Sequence, residues 1–146
     1  MTAEEMWAKF AKTAGIAPDT PYEAWAFGGA PDSLATLTLD GIKTATASAH
    51  ALYAIEGKDL PQVGEYSVIL DSADRAVCVI RTTRVTVVPY DKVSAEHAYK
   101  EGEGDRSLAY WRTVHEAFFI DCLREAGLSF TPDMDVVCEE FTQIYP

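Results

Sequence analysis

The sequence predicts an α+β domain, a small β-barrel with helices plugging or flanking it, and three observations carry that expectation. Several strand-like runs of mixed length are interspersed with helical patterns rather than repeating in regular units. The chain has 146 residues, the length of one domain, with no internal repeat, low-complexity tract or long linker. Its hydrophobic share of 48% and charged share of 24% match chains that bury a core. Residues 1–146 therefore read as a single domain.

The elements follow in order. Thr2 and Glu5 form a capping box, and Met6 and Phe10 lie on one face of a first helix that ends near Gly15. Residues 16–30, with Pro18, Pro21, Gly28 and Gly29, read as a connection that contains the aromatic cluster YEAWAFG. Pro31-Asp32 opens a second helix with Leu34 and Leu37 inward, and Gly41 stops it. KTATAS begins the first strand, and SAHALYAIEG reads as a short helical turn. After the turn Pro61–Gly64 come the strand EYSVILD, the loop SADR, and the long strand AVCVIRTTRVTVVPY, which ends at Pro89. Ser94, His97 and Ala98 suggest a short helix running into EGEGD. Asp105 or Ser107 caps the longest helix, whose Leu108, Trp111, His115, Phe118, Phe119 and Cys122 recur at helical spacing until Gly127. MDVVCEEFTQIY alternates as a closing strand.

Composition excludes several function classes. A net charge of −11, from 12 basic and 23 acidic residues, opposes the phosphate grip that long DNA or RNA requires. Arg75, Arg81 and Arg84 are the one basic cluster, so a small ligand in a local pocket stays open. No run is long enough to span a membrane, and MTAEEMWAKF is neither a signal nor a transit peptide, so a cytoplasmic location is expected. Cys78, Cys122 and Cys138 are isolated and read as reduced core thiols. No HxxxH, Walker loop, GxSxG or paired CxxC is present.

Two stretches could carry chemistry. In GIKTATAS, Lys43 stands among small residues where a packing strand would carry Val, Ile or aromatics. It is either an edge lysine that blunts a strand or an amine in a pocket. In a regular strand Lys43 and Thr46 point to opposite faces; they meet only if Lys43 still lies on the turn after Gly41. A partly desolvated lysine could then act as a base toward a hydroxyl. EGEGD sets Glu101, Glu103 and Asp105 two apart between glycines, as a general acid or base would need, or as a solvated loop with a capping Asp105. It lacks the ligand spacing of a calcium loop, so neither a metal nor another cofactor is expected. His115 reads as a core or rim histidine; His50 and His97 show no partner.

GIKTATAS resembles the GxKxxT signature of ASCH domains, small proteins with a PUA-like β-barrel. WAFG, LPQVGEYSVIL, CVIRTTRVTVVPYDKV, EGEGDRSLAYWRTVH and VVCEEF extend the resemblance, in order, to the branch formerly grouped as a domain of unknown function. It covers roughly residues 22–145. The resemblance implies a cleft for RNA or nucleotides beside the barrel. One bacterial member is an amidohydrolase that deacetylates N4-acetylcytidine with a lysine, a threonine and a glutamate. By motif these fall on Lys43, Thr46 and, through HAYKE, Glu101. An arginine two after that threonine is Ser48 here, and the WAFG and EGEGD segments are additions. Another member cleaves single-stranded RNA. The implied function is amide or acyl hydrolysis of a modified nucleoside or short RNA; the alternatives are a non-catalytic RNA- or nucleotide-binding module and a single-stranded-RNA ribonuclease. Trp25, Phe27 and Trp111 are the candidates to stack on a base. Ser48, Arg81, Glu103 and Asp105 complete the expected binding set, with no long DNA and no membrane as partners.

Overall fold

The computed structural model describes residues 1–146. Helix α1 (Ala3–Ala14) starts at the Thr2–Glu5 capping box, with both reciprocal hydrogen bonds made. Met6, Trp7 and Phe10 bury one face of it against Val68 and Val79 of the sheet. Strand β1 (Glu23–Trp25) lies in the segment expected to be only a connection. Helix α2 spans Pro31–Leu39 and buries Ala35 and Thr38, while Leu34 and Leu37 are half-buried beside them. Strand β2 (Ala45–Ala49) leads directly into helix α3 (His50–Glu56). Strands β3 (Tyr66–Leu70) and β4 (Ala76–Pro89) form an antiparallel pair. Helix α4 (Ala95–Glu101) is capped by Ser94, and α5 (Leu108–Glu125) by Ser107. Asp105 is not the cap; it accepts a hydrogen bond from the Ser107 amide and so orders the approach to α5. Strand β5 (Asp135–Tyr145) closes the chain.

The five strands pair in the order β1-β3-β4-β5-β2, with β1 parallel to β3 and the other neighbours antiparallel. Alternation along β3 and β4 separates the two faces. Val68 and Val79 meet α1, whereas Ile69, Cys78 and Ile80 pack with Phe27, Ala35 and Phe141. A third cluster joins Trp111, Phe119 and Leu123 of α5 to Val136 and Cys138 of β5. The cysteines are free; Cys78 and Cys138 are buried and Cys122 half-buried. The expected barrel is a curled half-barrel: β1 and β2 are the two sheet edges and do not pair with each other. A seam therefore stays open between them, and it positions the site.

Candidate functional site

Lys43 is not on the strand. Gly41 takes φ +75° after α2, and the amides of Ile42 and Lys43 both donate to the Leu37 carbonyl. Thr44 is tied to α4 through its amide and hydroxyl, both donating to the Lys100 carbonyl, and β2 begins only at Ala45. This turn frees Lys43 from the strand's alternation. Its side chain and that of Thr46 line one cavity.

The edge-lysine reading fails on burial, because Lys43 is 1% exposed. Its Nζ lies 3.1 Å from Glu101 Oε1 and 3.1 Å from Glu103 Oε2, and 5.1 Å from the centre of the Phe27 ring. Glu101, also 1% exposed, gathers further partners. Trp111 Nε1 donates to its Oε2 at 2.5 Å, His97 Nε2 lies 3.0 Å from the same oxygen, and His115 Nε2 lies 3.4 Å from Oε1. Burial alone would raise the Glu101 carboxyl. The charge of Lys43 and hydrogen bonds from His115 and His97 overcome that and hold it well below the usual carboxylate range. Burial likewise opposes charge on His97, but hydrogen bonds to the Cys138 sulfur and to Glu101 raise it to about 9.

The remaining expected residues divide. Trp25, Phe27 and Ser48 line the larger of two cavities, and Ser48 hydrogen-bonds Tyr53 Oη at 2.7 Å. Phe27 and Glu103 also line the smaller one. Trp111 is corrected: it is 2% exposed, stacked on His115 at 4.1 Å and on Tyr90, so it has no free face for a base and instead anchors Glu101. Arg81 is corrected too, since it stacks on Tyr66 and lines neither cavity. Asp105 lies outside both, bound to the Ser107 amide. Arg75 and Arg84 are likewise outside, beside Asp71 and Glu140. No hydrogen bond joins Thr46 to Lys43, although they share the smaller cavity.

Sequence reasoning found no partner for His97 and passed over Glu139, while His115, read as a core or rim histidine, is buried and lines the smaller cavity. The first carried a readable signal, because His97 and Glu101 are one helical turn apart. Glu139 pairs across the sheet with Thr46, and Thr82 Oγ1 donates to its Oε2 at 2.7 Å. The two cavities, about 570 and 380 Å³, share Phe27, Gly28, Thr46, Ala47 and Phe118 and so form one cleft of ligand-binding size. Glu101, Glu103 and His115 bring ligand atoms within 4.8 Å of one another, as a metal centre would need. The Lys43 amine already stands against two of them, so an ion there would have to displace it.

An ASCH domain family description matches residues 23–145. The chain is 30% identical to an ASCH domain from Lactobacillus crispatus JV V101, with a TM-score of 0.85 over 97% of this chain and 96% of that one. It is 35% identical to protein EF3133 from Enterococcus faecalis V583, of family DUF984, with a TM-score of 0.87 over 97% of this chain and 87% of that one. No curated protein matches.

Proposed function

The chain belongs to the ASCH domain family, and from that premise we propose that it hydrolyses an amide or acyl group on a modified nucleoside or short RNA. The observation that carries this reading is an ion-paired lysine, 1% exposed, beside a half-buried threonine hydroxyl in a cleft of ligand size. A lysine sealed among carboxylates costs desolvation energy, and such groups concentrate where proton transfer is needed.

Glu101 is held by Lys43, His97 and Trp111, with His115 Nε2 3.4 Å from its Oε1, so it positions Lys43 rather than moving protons. Glu103 has only Lys43 among its side-chain partners and is 17% exposed, so it is the mobile proton carrier. Lys43 passes a proton to Glu103, and the freed amine takes the Thr46 hydroxyl proton. Thr46 Oγ1 forms a bond to the carbonyl carbon. Glu103 then returns its proton to the departing nitrogen as the carbon–nitrogen bond breaks. Water releases the acyl-threonine by the same transfers in reverse order. Trp25 and Phe27 supply the apolar wall for a base.

Incubation with a panel of acylated nucleosides, read by mass spectrometry, tests the reading. Thr46→Val should lower turnover by about 10²–10⁴-fold, the usual share of such catalysis, while the melting temperature holds. Wild-type turnover in Thr46→Val would assign the attack to water. No deacylated product from any member of the panel would refute hydrolysis.

A further inference from the structure

The larger half of the cleft has an electrostatic character that the lysine site does not explain. It fills the seam between the unpaired edges β1 and β2 and is lined by Glu23, Glu56, Asp59, Glu65 and Glu139. The one basic residue along it, Lys58, is 69% exposed and sits 3.8 Å from Glu56 at the rim. Glu23, Asp59, Glu65 and Glu139 make no ion pair at all. Four of the five carboxylates therefore stand without a counter-charge. Burial, opposed by the Thr82 hydrogen bond, and then the charges of Glu65 and Glu23 raise the Glu139 carboxyl; burial, then Glu23 and Asp59, raises Glu65.

Glu139 supplies an independent pointer to a ligand. It is 7% exposed, and Thr82 satisfies only its Oε2. Its Oε1 has no hydrogen-bond partner within the protein and is not sealed from solvent, and Glu139 lines the larger cavity. A carboxylate more than nine-tenths buried thus lines a space of about 570 Å³ with one oxygen unpartnered. Around it stand Trp25, Phe27 and Tyr53, whose ring faces attract cations.

We infer that the seam cavity binds an extended organic cation, an amine or guanidinium seated on Glu139 and flanked by Glu23 and Glu65. A metal ion does not fit, because only Glu101, Glu103 and His115 bring three ligand atoms within 4.8 Å of one another, and they lie in the other half of the cleft. The seam carboxylates are spread too widely for one ion but suit donors separated along a chain or a planar fork. Phosphate is disfavoured by the same charges. A ligand in this position brings its far end to Thr46, which both halves share.

Isothermal titration calorimetry of the full chain at low ionic strength, with agmatine and with spermidine, tests the site. Saturable one-site binding of at least one probe is expected, weakened at least tenfold by Glu139→Gln. Glu65→Gln should weaken it as well, and it carries the same prediction if Glu139→Gln fails to fold. Glu4→Gln, an exposed carboxylate on α1 outside the cleft, should leave binding unchanged. Absence of saturable binding by both probes would overturn the proposal, and so would equal weakening by Glu139→Gln and Glu4→Gln. Magnesium competing at equal concentration would assign the site to simple ions and overturn it too. The inference does not rest on hydrolysis. Lack of turnover on acylated nucleosides leaves cation binding standing, and lack of cation binding leaves the lysine chemistry standing.

Discussion

Lys43 costs the fold a buried charge, and its partners decide what removing it does. Were it a solvent-facing lysine, Lys43→Met would change stability little. At 1% exposure, the substitution takes the amine from both Glu101 and Glu103 and leaves Glu101 with His97 and Trp111 as its hydrogen-bond partners. A loss of about 3 kcal/mol is expected in urea denaturation, at the lower end for a broken buried pair because those partners remain. Adding Glu101→Gln to Lys43→Met should recover part of it, since the buried carboxylate then goes and His97 no longer needs its proton. His97 gives the residue scale a pH signature. Its folded pKa, about 9, stands above the ordinary 6.5, so its contribution is complete below pH 6.5 and fades as pH rises through 9. Glu101 has the opposite sign: its contribution is present above 4.5 and fades only as pH falls through a much lower value. The melting-temperature difference between wild type and His97→Asn should therefore be largest near pH 5–6 and shrink toward pH 9.5. A difference that grows with pH would mean that His97 is neutral in the folded protein.

At the scale of elements, the joint between α4 and the turn after α2 sets the lysine site. Gly102 ends α4 with φ +72°, and a Cβ there would stand 2.7 Å from the Ile42 carbonyl oxygen, one residue before Lys43. Gly102→Ala meets both left-handed strain and a backbone clash, so it should cost more than about 2 kcal/mol and separate Glu101 and Glu103 from Lys43. A wild-type melting temperature for Gly102→Ala would show that this joint is slack. Elements built on local signals were legible in the sequence: the capping box of α1, the serine caps of α4 and α5, and the glycine stop before Lys43. Strand β1 was not, because three residues in an aromatic run acquire strand character only by pairing Glu23 with Ser67 far along the chain. Lys43, Thr46 and Glu101 were singled out together through motif likeness, and their meeting in one cavity depends on the Thr44–Lys100 contacts, which no local pattern encodes. Glu139 looked like an ordinary polar position in VVCEEF. Its burial arises only once β4 and β2 flank β5.

Across the whole molecule, topology joins the two cavities into one cleft, and its larger half is acidic. No helix is long and apolar enough to cross a membrane. The net charge is −11, and the basic cluster is already engaged, Arg75 with Asp71, Arg84 with Glu140 and Arg81 with the Tyr66 ring. Filter binding of long single-stranded RNA at physiological salt should be weak, with a shallow salt dependence. Tight binding with a steep slope would instead make the chain a phosphate-gripping module. The open seam has a consequence for how the fold breathes. Strand β1 is held by three register pairs to β3 alone, whereas β4 and β5 share ten. One wall of the larger cavity can thus detach while the central ladder stays closed, a sub-global opening that exposes the amides of Glu23–Trp25 to hydrogen–deuterium exchange before those of β4. A molecule lodged between β1 and β2 touches both walls and must leave before that opening. Slowed exchange at β1 thus registers occupancy of the cleft, whatever the ligand proves to be.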